Sequence, residues 1–334
     1  MITLLQLCAI GDSNEVTMIA SDKSGERRRI HIEGVLPLLE VLNPERFRFN
    51  RLLYGGAEER IASIPKPDLV YNGIGDPDRC SRALFRAEHA SRNNPIPVIN
   101  LPERVRETAG DRAAALLESV AGVIVPKCVR LTPSNLREVK ASLDAQGIRP
   151  PFIFKEAGTD EERPNDLLVE TASDLERLER FAFDGRAYYA TEYFDYRSPD
   201  GLYRKYRCFV IGEAILPGHL IISDTWRVTD DATAHEELGG KLPALLQEEE
   251  AFLTPFDGER FALFAKVRER LALDYFSIDF ALKDDGTPIF FNLSCKNHYF
   301  SKEKREHYYT KEQIQRYNQA VESMLLAKLK GGKR

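Results

Sequence analysis

Apolar and polar positions alternate most strictly between Asp274 and Ser294, where the chain reads DYFSIDFALKDDGTPIFFNLS. Side chains of a strand alternate faces, so the pattern predicts two strands joined at Asp285-Gly286, a pair that tolerates the positive φ of a tight turn. A two-residue turn sets Asp284 opposite Thr287. Counting outward, Ile278 faces Leu293, Phe280 faces Phe291 and Leu282 faces Ile289 on the apolar side. The other side carries Ser277, Asp279, Ala281, Lys283, Pro288, Phe290, Asn292 and Ser294, with Asp279 across from Asn292 and Ser277 across from Ser294. Opposed β-carbons lie about 4.5–5.5 Å apart, within reach of one ion or one phosphate oxygen. A slip of one residue would bury the aspartate and expose the phenylalanines. An ordinary amphipathic hairpin shows the same alternation; short oxygen-bearing side chains at one end set this one apart, because hard cations such as Mg2+ take oxygen ligands.

Upstream, the pattern predicts strands at Ile2 to Leu7, Asp68 to Asn72 and Pro97 to Asn100, with a helix from Cys80 to Ser91. That βα order predicts a small open α/β unit. The turn Asn72-Gly73-Ile74-Gly75-Asp76-Pro77-Asp78 follows a strand, where open sheets bind ligands, yet it lacks the third glycine of a dinucleotide fingerprint; a ligand-free tight turn accounts for it as well. A helix follows from Asp111 to Ser119, then an extended stretch from Val123 to Arg130. Next come a helix from Ser134 to Gln146 capped by Ser134, a strand Phe152 to Lys155, and a helix from Ser173 to Phe181 opened by Ser173 with Glu176 as a capping box. A strand from Tyr189 to Phe194 closes the span, which reads β-α-β-α-β with Lys127 and Lys155 on its first two strands. One strand lysine is usually a snorkelling residue. Two, ahead of an acidic hairpin, are what a triphosphate needs.

Composition narrows the classes. The chain has 334 residues, 43% hydrophobic and 30% charged, a globular balance that suggests two or three domains. A net charge of −5 argues against a general nucleic-acid binder, and the basic runs Arg27 to Arg29 and Lys328 to Arg334 read as a solvated turn and a frayed end. Five scattered cysteines without a C-x-x-C pair argue against a disulfide frame or zinc site and favour a reducing cytoplasm. No apolar run has the length of a membrane span, and no secretory signal is recognisable.

Taken in order, these parts resemble the ATP-grasp superfamily, over essentially the whole chain. The carriers are Val123-Ile124-Val125-Pro126-Lys127, Phe152-Ile153-Phe154-Lys155, the acidic-aromatic Glu192 to Asp195 and the Asp279 hairpin. The segments Asn72 to Asp76, Val98 to Pro102, Gly201 to Arg207 and Pro217 to Trp226 resemble a bacterial branch often fused to tetratricopeptide repeats, although no such repeat is visible here. The resemblance implies an α/β (α+β) fold with an open α/β domain at 1–105, a central lid-type subdomain at 106–195 and a mainly antiparallel C-terminal subdomain at 196–334. It implies ATP and Mg2+ as cofactors, with Lys127 and Lys155 on the phosphates and the adenine edge. Thr191 to Phe194 would be the adenine hinge, Tyr193 and Phe194 within it, with Glu192 on the amino group or ribose and Asp195 a second ribose candidate. Arg207, with Arg204, Lys205 and Arg227, would line the reaction site, and Asp279 would hold Mg2+ with Asn292 opposite.

The chain departs from that family where its usual metal-binding Glu falls on Asn292 and its usual Asn on Ser294. Either fewer ions are held, or the fold is kept without full catalysis. Tyr203-Arg204-Lys205-Tyr206-Arg207 could equally be a half-exposed strand face or, with interleaved aromatics, a nucleic-acid stacking surface; a phosphate or carboxylate clamp accounts for it better beside an oxygen-rich hairpin. His219 and His298 read as structural, and Trp226 as core or a substrate wall. Gly158 to Asp160 and Thr225 to Gly240 are lid candidates. The expected activity is a carboxylate–amine ligase working through an acylphosphate on an amino-acid-like or peptide substrate. The alternatives are a nucleotide-binding protein with weak or lost turnover and a small-molecule kinase.

Overall fold

Three four-stranded sheets organise the chain, seen in a computed structural model that describes residues 1–13, 17–20, 28–31, 42–55, 66–92, 94–159, 165–228, 242–254, 258–296 and 311–331. Of the segments singled out in the sequence, Arg27, Asp160, residues 229–240, His298 and residues 332–334 lie outside that description. Among the described residues no helix is long and apolar enough to cross a membrane.

The first sheet contains β1 (Ile2–Ala9); β2 (Thr17–Ala20) and β3 (Arg28–His31) form a separate antiparallel pair, and β4 (Phe47–Tyr54), β5 (Leu69–Asn72) and β6 (Val98–Ile99) complete the first sheet in the order β4-β1-β5-β6, all parallel. β1 lies inside the sheet and is buried from Leu4 to Ala9, as a near-continuous apolar run should be when both faces are covered. Helix α1 (Ser81–Arg92) packs Ala83, Leu84 and Ala87 inward at helical spacing. Its buried Glu88 ties it to α2 (Pro102–Arg106) by accepting from Arg106 at 2.8 Å. The sequence pattern predicts three of the sheet's four strands and omits β4, an edge strand that exposes Arg48, Arg51 and Leu53.

After α3 (Gly110–Leu117), the second sheet comprises β7 (Cys128–Leu131), β8 (Phe152–Glu156), β9 (Asp166–Val169) and β10 (Tyr188–Glu192) in the order β7-β10-β8-β9, antiparallel throughout. The expected β-α-β-α-β order is corrected here in four places. β9 is an added strand. The second helix is a 3-10 helix, Ala172–Arg180, capped by Thr171 with Asp174 and not by Ser173 with Glu176. Helix α4 (Leu136–Gln146) is capped by Asn135, which accepts from the Glu138 N–H at 3.0 Å, while Ser134 donates its own N–H to the Glu138 carboxylate. Lys127 precedes β7 instead of lying on it.

The third sheet is antiparallel, β12-β11-β13-β14, built from β11 (Tyr203–Ile211), β12 (Ala214–Ser223), β13 (Tyr275–Leu282) and β14 (Pro288–Ser294). Helices α5 (Leu242–Phe252), α6 (Gly258–Leu271) and α7 (Lys311–Gly331) accompany it. Two of the three sheets share a core: Leu5, Leu7, Val70 and Ile74 pack in one cluster with Val210, Phe276, Ile278 and Phe280. The second sheet has a core of its own around Val139, Leu143, Phe152, Phe154, Leu178 and Tyr188. Its link to the first sheet is polar: the Tyr189 hydroxyl donates to Asp78 at 2.9 Å and accepts from Arg130 at 2.7 Å, and Arg130 also pairs with Asp78.

A single buried side chain stitches the first sheet to the third. Asn100, at the end of β6, adopts φ 56°, a left-handed backbone that asparagine tolerates better than most residues. Its Oδ1 accepts the N–H groups of Asp274 and Tyr275 at 2.9 and 2.8 Å, and its Nδ2 donates to the Tyr275 carbonyl at 2.7 Å. Its backbone N–H donates to Asp274 Oδ2 at 2.9 Å and its carbonyl accepts from Asn72 at 3.0 Å. The turn after β5 then lies against the end of β14: a Cβ on Gly75 would fall 2.9 Å from the Cys295–Lys296 backbone, and Lys296 Nζ donates to Asp76 at 2.7 Å.

Asn100→Ala removes three side-chain bonds and leaves buried N–H and C=O groups unpaired, so the expected loss is about 2–4 kcal/mol of unfolding free energy. Asn100→Gly retains the positive φ without the bonds. Chemical denaturation of both should show comparable losses; a near-neutral glycine variant would mean that backbone conformation, and not the stitch, is what Asn100 provides.

Candidate functional site

Asp279 reaches its place through a local irregularity of the hairpin. The turn closed by Lys283 and Thr287 encloses three residues and not two: Lys283 N–H donates to the Thr287 carbonyl at 3.0 Å, Gly286 N–H donates back to the Lys283 carbonyl at 2.8 Å, and Gly286 takes φ 82°. Near the turn the pairs are therefore Leu282 with Pro288 and Phe280 with Phe290, in place of the expected Ile289 and Phe291. A bulge between Asp279 and Phe280 inserts Phe291 and restores the counted pairs, Asp279 with Asn292, Ile278 with Leu293 and Ser277 with Ser294. The bulge turns Phe290 into the core against Phe264, with ring centroids 6.0 Å apart, and leaves Phe291 half-buried beside Asn292.

Those two residues and Asp279 form one wall of a cleft between the second and third sheets. It encloses about 1140 Å3 including its open mouth, on the scale of a small-molecule site. Ile153 and Lys155 of β8 and Thr191 and Glu192 of β10 form the opposite wall, Tyr193, Phe194 and Tyr196 the back, and Lys205, Trp226 and Arg227 one side. The back is fixed by main-chain bonds: Glu192 N–H donates to the Lys127 carbonyl at 2.9 Å, the Glu192 carboxylate accepts the Lys127 N–H at 3.1 Å, and Tyr193 N–H donates to the Pro151 carbonyl at 3.1 Å. Aromatic rings brace it, with Tyr196 4.8 Å from Phe291 and 5.0 Å from Tyr203, and Tyr193 6.2 Å from Trp226. The Tyr196 hydroxyl donates to the Trp226 carbonyl at 2.6 Å.

The expected site residues divide accordingly. Lys155, Glu192, Tyr193, Phe194, Lys205, Arg227, Asp279 and Asn292 come together on the cleft walls. Lys127 does not: its ammonium turns to the Gln146 carbonyl at the carboxyl end of α4, where a cation meets the negative helix terminus. Asp195 also stands off the walls and accepts the Arg197 N–H at 3.0 Å. Arg204 points to the opposite face of β11, bonded to Glu248 at 2.6 Å and Asp200 at 2.8 Å, as the strand's period of two requires. Arg207 lies behind the wall, paired across the sheet with Asp279: its Nε and Nη2 donate to Oδ1 and Oδ2 at 2.5 and 2.8 Å, with both residues at 4% and 2% exposure. Buried His219 occupies the next position of that row, across from Arg207. Arg227 is held by Asp166, a wall residue on the unexpected strand β9 that no motif in the sequence marks.

The Tyr193 phenol and the Cys128 thiol beside the cleft are both held in their neutral forms. Burial, and then Tyr203, push the Tyr193 phenol up. Burial lifts the Cys128 thiol to about 11, and all five cysteines are free thiols. Charge in the cleft therefore resides on lysine, arginine and carboxylate, and no thiolate is ready to attack. The donor set does not fit a protein-held magnesium ion. Asp279 already accepts from the Arg207 fork on both oxygens, Asn292 adds no charge, and among the described residues no three His, Cys, Asp or Glu side chains gather to hold an ion.

No protein-family model matches the sequence, and no curated protein matches it. The fold does find relatives. The RimK domain ATP-grasp protein of Sphaerobacter thermophilus DSM 20745 is similar over 97% of this chain and 99% of its own, at TM-score 0.54 and 16% identity. The D-alanine–D-alanine ligase of Bacillus anthracis is similar over 100% and 99%, at TM-score 0.55 and 13% identity. The macrocyclase MdnC of Microcystis aeruginosa MRC, solved with its precursor peptide MdnA, is similar over 97% and 99%, at TM-score 0.54 and 13% identity. The chain thus has the ATP-grasp fold.

Replacing Arg207 by Met leaves the Asp279 carboxylate buried and uncompensated, at an expected cost of about 3–5 kcal/mol. Combining Arg207→Met with Asp279→Asn should recover most of that loss. Equal stabilities for the single and double variants, by denaturant titration, would show that the two side chains are not coupled.

Proposed function

We propose that the cleft binds ATP and that the protein is an ATP-dependent ligase joining a carboxylate to an amine. The observation that carries this reading is the convergence of Lys155, Lys205, the turn from Glu192 to Phe194 and Asp279 on one cleft of an ATP-grasp fold. In this reading the purine lies between Ile153 and Phe291 and hydrogen-bonds the exposed main chain of the 192–194 turn. Glu192 accepts from the amino group or ribose, and Lys155 and Lys205 meet the phosphates as point charges. The division 1–105, 106–195 and 196–334 is adopted with it, the first unit bringing the glycine turn at 73–76 to the acceptor side. The nucleotide carries its own magnesium counter-ion, and no residue here is assigned to hold it.

The chemistry asks the protein for position and charge, not for a nucleophile. A substrate carboxylate oxygen attacks the γ-phosphorus, the bond from that phosphorus to the β,γ-bridging oxygen breaks, and ADP leaves with the electron pair. The acylphosphate carbon then accepts the amine lone pair, phosphate departs with the C–O electrons, and the amine proton passes to solvent. Lysines on facing walls neutralise charge as it develops on the phosphoryl oxygens, and the aromatic back excludes water. The D-alanine ligase and the peptide macrocyclase that share the fold favour an amino-acid-like or peptide substrate. One observation favours a second reading, nucleotide binding with weak or lost turnover: Asn292 stands where an acid would, and Arg207 closes on Asp279.

Purified protein screened with amino acids and peptides should release ADP only when an amine acceptor is present, and Lys155→Ala should lower kcat/KM about 100-fold or more. Trp226 is the single tryptophan and lines the cleft, so ATP should change its emission. An emission change without acceptor-dependent ADP would favour the second reading, and a phosphorylated alcohol among the products a kinase.

A further inference from the structure

We infer that Asp78, in the turn after β5 of the first sheet, is a positioning residue for Lys155 and acts on it from sheet to sheet through Tyr189, an inference that rests on the nucleotide reading above. The first support is a register row. Across the second sheet Arg130, Tyr189, Lys155 and Asp166 are successive partners on β7, β10, β8 and β9. Partners in such a row stand on one face, with β-carbons about 4.5–5.5 Å apart. Ile153, Lys155 and Thr191 turn that face to the cleft, whereas Phe154, Tyr188 and Ala190 turn to the sheet's own core. Lys155 thus stands in the row between Tyr189 and Asp166.

The second support is the way the row is tied at both ends. The Tyr189 hydroxyl donates to the Asp78 carboxylate, whose oxygens lie 2.9 and 3.0 Å away, and accepts from Arg130 at 2.7 Å and from the Gly110 N–H at 3.2 Å. The Arg130 guanidinium pairs with Asp78 and lies 5.3 Å from the centroid of the Tyr189 ring. Burial, and then the Asp78 charge, push the phenol up, so it remains a donor. At the far end Arg227 donates to the Asp166 carbonyl at 2.8 Å and pairs with the Asp166 carboxylate. With three partners on its hydroxyl and 3% exposure, Tyr189 has one orientation to offer its neighbour.

The third support is the loop that follows Lys155. Gly158 takes φ 74°, and a Cβ there would fall 2.9 Å from Arg79 Cγ and 3.3 Å from Asp78 Cβ. The turn that carries Asp78 is therefore packed against the end of β8 as well as bonded to β10. A lysine is a point charge on a flexible four-carbon stem, with much rotamer freedom to lose when it meets a phosphate, and Lys155 is exposed. A neighbour fixed in advance removes part of that freedom before the ligand arrives. Charge alone predicts the opposite effect. Asp78 is an anion beside the face that bears Lys155, so removing its charge would by itself tighten ATP.

The test titrates ATP and adenosine into wild type, Asp78→Asn, Tyr189→Phe, Lys155→Met and each pairing with Lys155→Met, following Trp226 emission and calorimetric heat. Asp78→Asn should weaken ATP about tenfold and Tyr189→Phe about threefold, with adenosine within about twofold of wild type in both. In the Lys155→Met background neither substitution should move the ATP dissociation constant more than about twofold, as residues that act through that lysine require. An unchanged or tighter ATP constant in Asp78→Asn would overturn the inference and leave nucleotide binding intact. So would equal losses for ATP and adenosine, which mark a purely structural role, or losses that keep their full size without Lys155. A Lys155→Met protein that binds ATP as wild type does would overturn it too. Should Asp78→Asn not fold, Tyr189→Phe decides by the same criteria. No ATP binding by the wild type would overturn the nucleotide reading and this inference together.

Discussion

The stitch at Asn100 is the constraint on which the rest of the molecule depends. Five hydrogen bonds meet at one buried residue, and four of them join the end of the first sheet to Asp274 and Tyr275 at the start of β13. Their effect is positional: they set where β13 begins, and Asp279 lies only four residues beyond Tyr275. The same junction brings the glycine turn at 73–76 against the end of β14, too close for any side chain at Gly75. A substrate resting on that turn would lie beside the hairpin that forms the cleft's wall. The shared apolar core under both sheets makes the arrangement rigid, because no slip of one sheet leaves the other's contacts intact.

The hairpin shows how a sequence reading can reach the right pair by an incomplete route. Alternation and the Asp-Gly turn specify the partnership of Asp279 with Asn292, and the structure has it. The count passes over two irregularities that cancel, one extra residue in the loop and one in the strand. Alternation cannot reveal them, because a bulge changes which residue faces the core without changing composition; Phe290 and Phe291 exchange roles and both are phenylalanine. What the count misses is the environment of the aspartate. Its guanidinium partner lies 72 residues away on a neighbouring strand, and a cross-strand pairing between separate hairpins leaves no local trace.

Other differences have similar causes. β9 leaves no mark in the sequence because Asp166 to Val169 is four residues long and is followed almost at once by a helix start. The expected caps fall one residue early at Ser134 and two residues late at Ser173, since adjacent Ser, Asn and Thr all qualify by type and only geometry selects among them. Lys127 had the right neighbours in sequence and the wrong direction in space: its backbone braces the turn at Glu192 while its side chain meets the end of α4. The period-two reading of Tyr203 to Arg207 separates Arg204 from Lys205 and Arg207, and here the strand is regular, so the separation holds.

The second sheet owns its core, while the polar contacts that anchor it to its neighbours run through Asp78, Tyr189, Arg130, Asp166 and Arg227. Part-buried polar contacts of this kind can be replaced by contacts with water, whereas the packing of a buried aromatic cluster cannot. Rotation of that sheet as a body would therefore leave Phe154, Phe181 and Tyr188 stacked as they are. The barrier to such a swing would be electrostatic in origin and would fall as ionic strength rises.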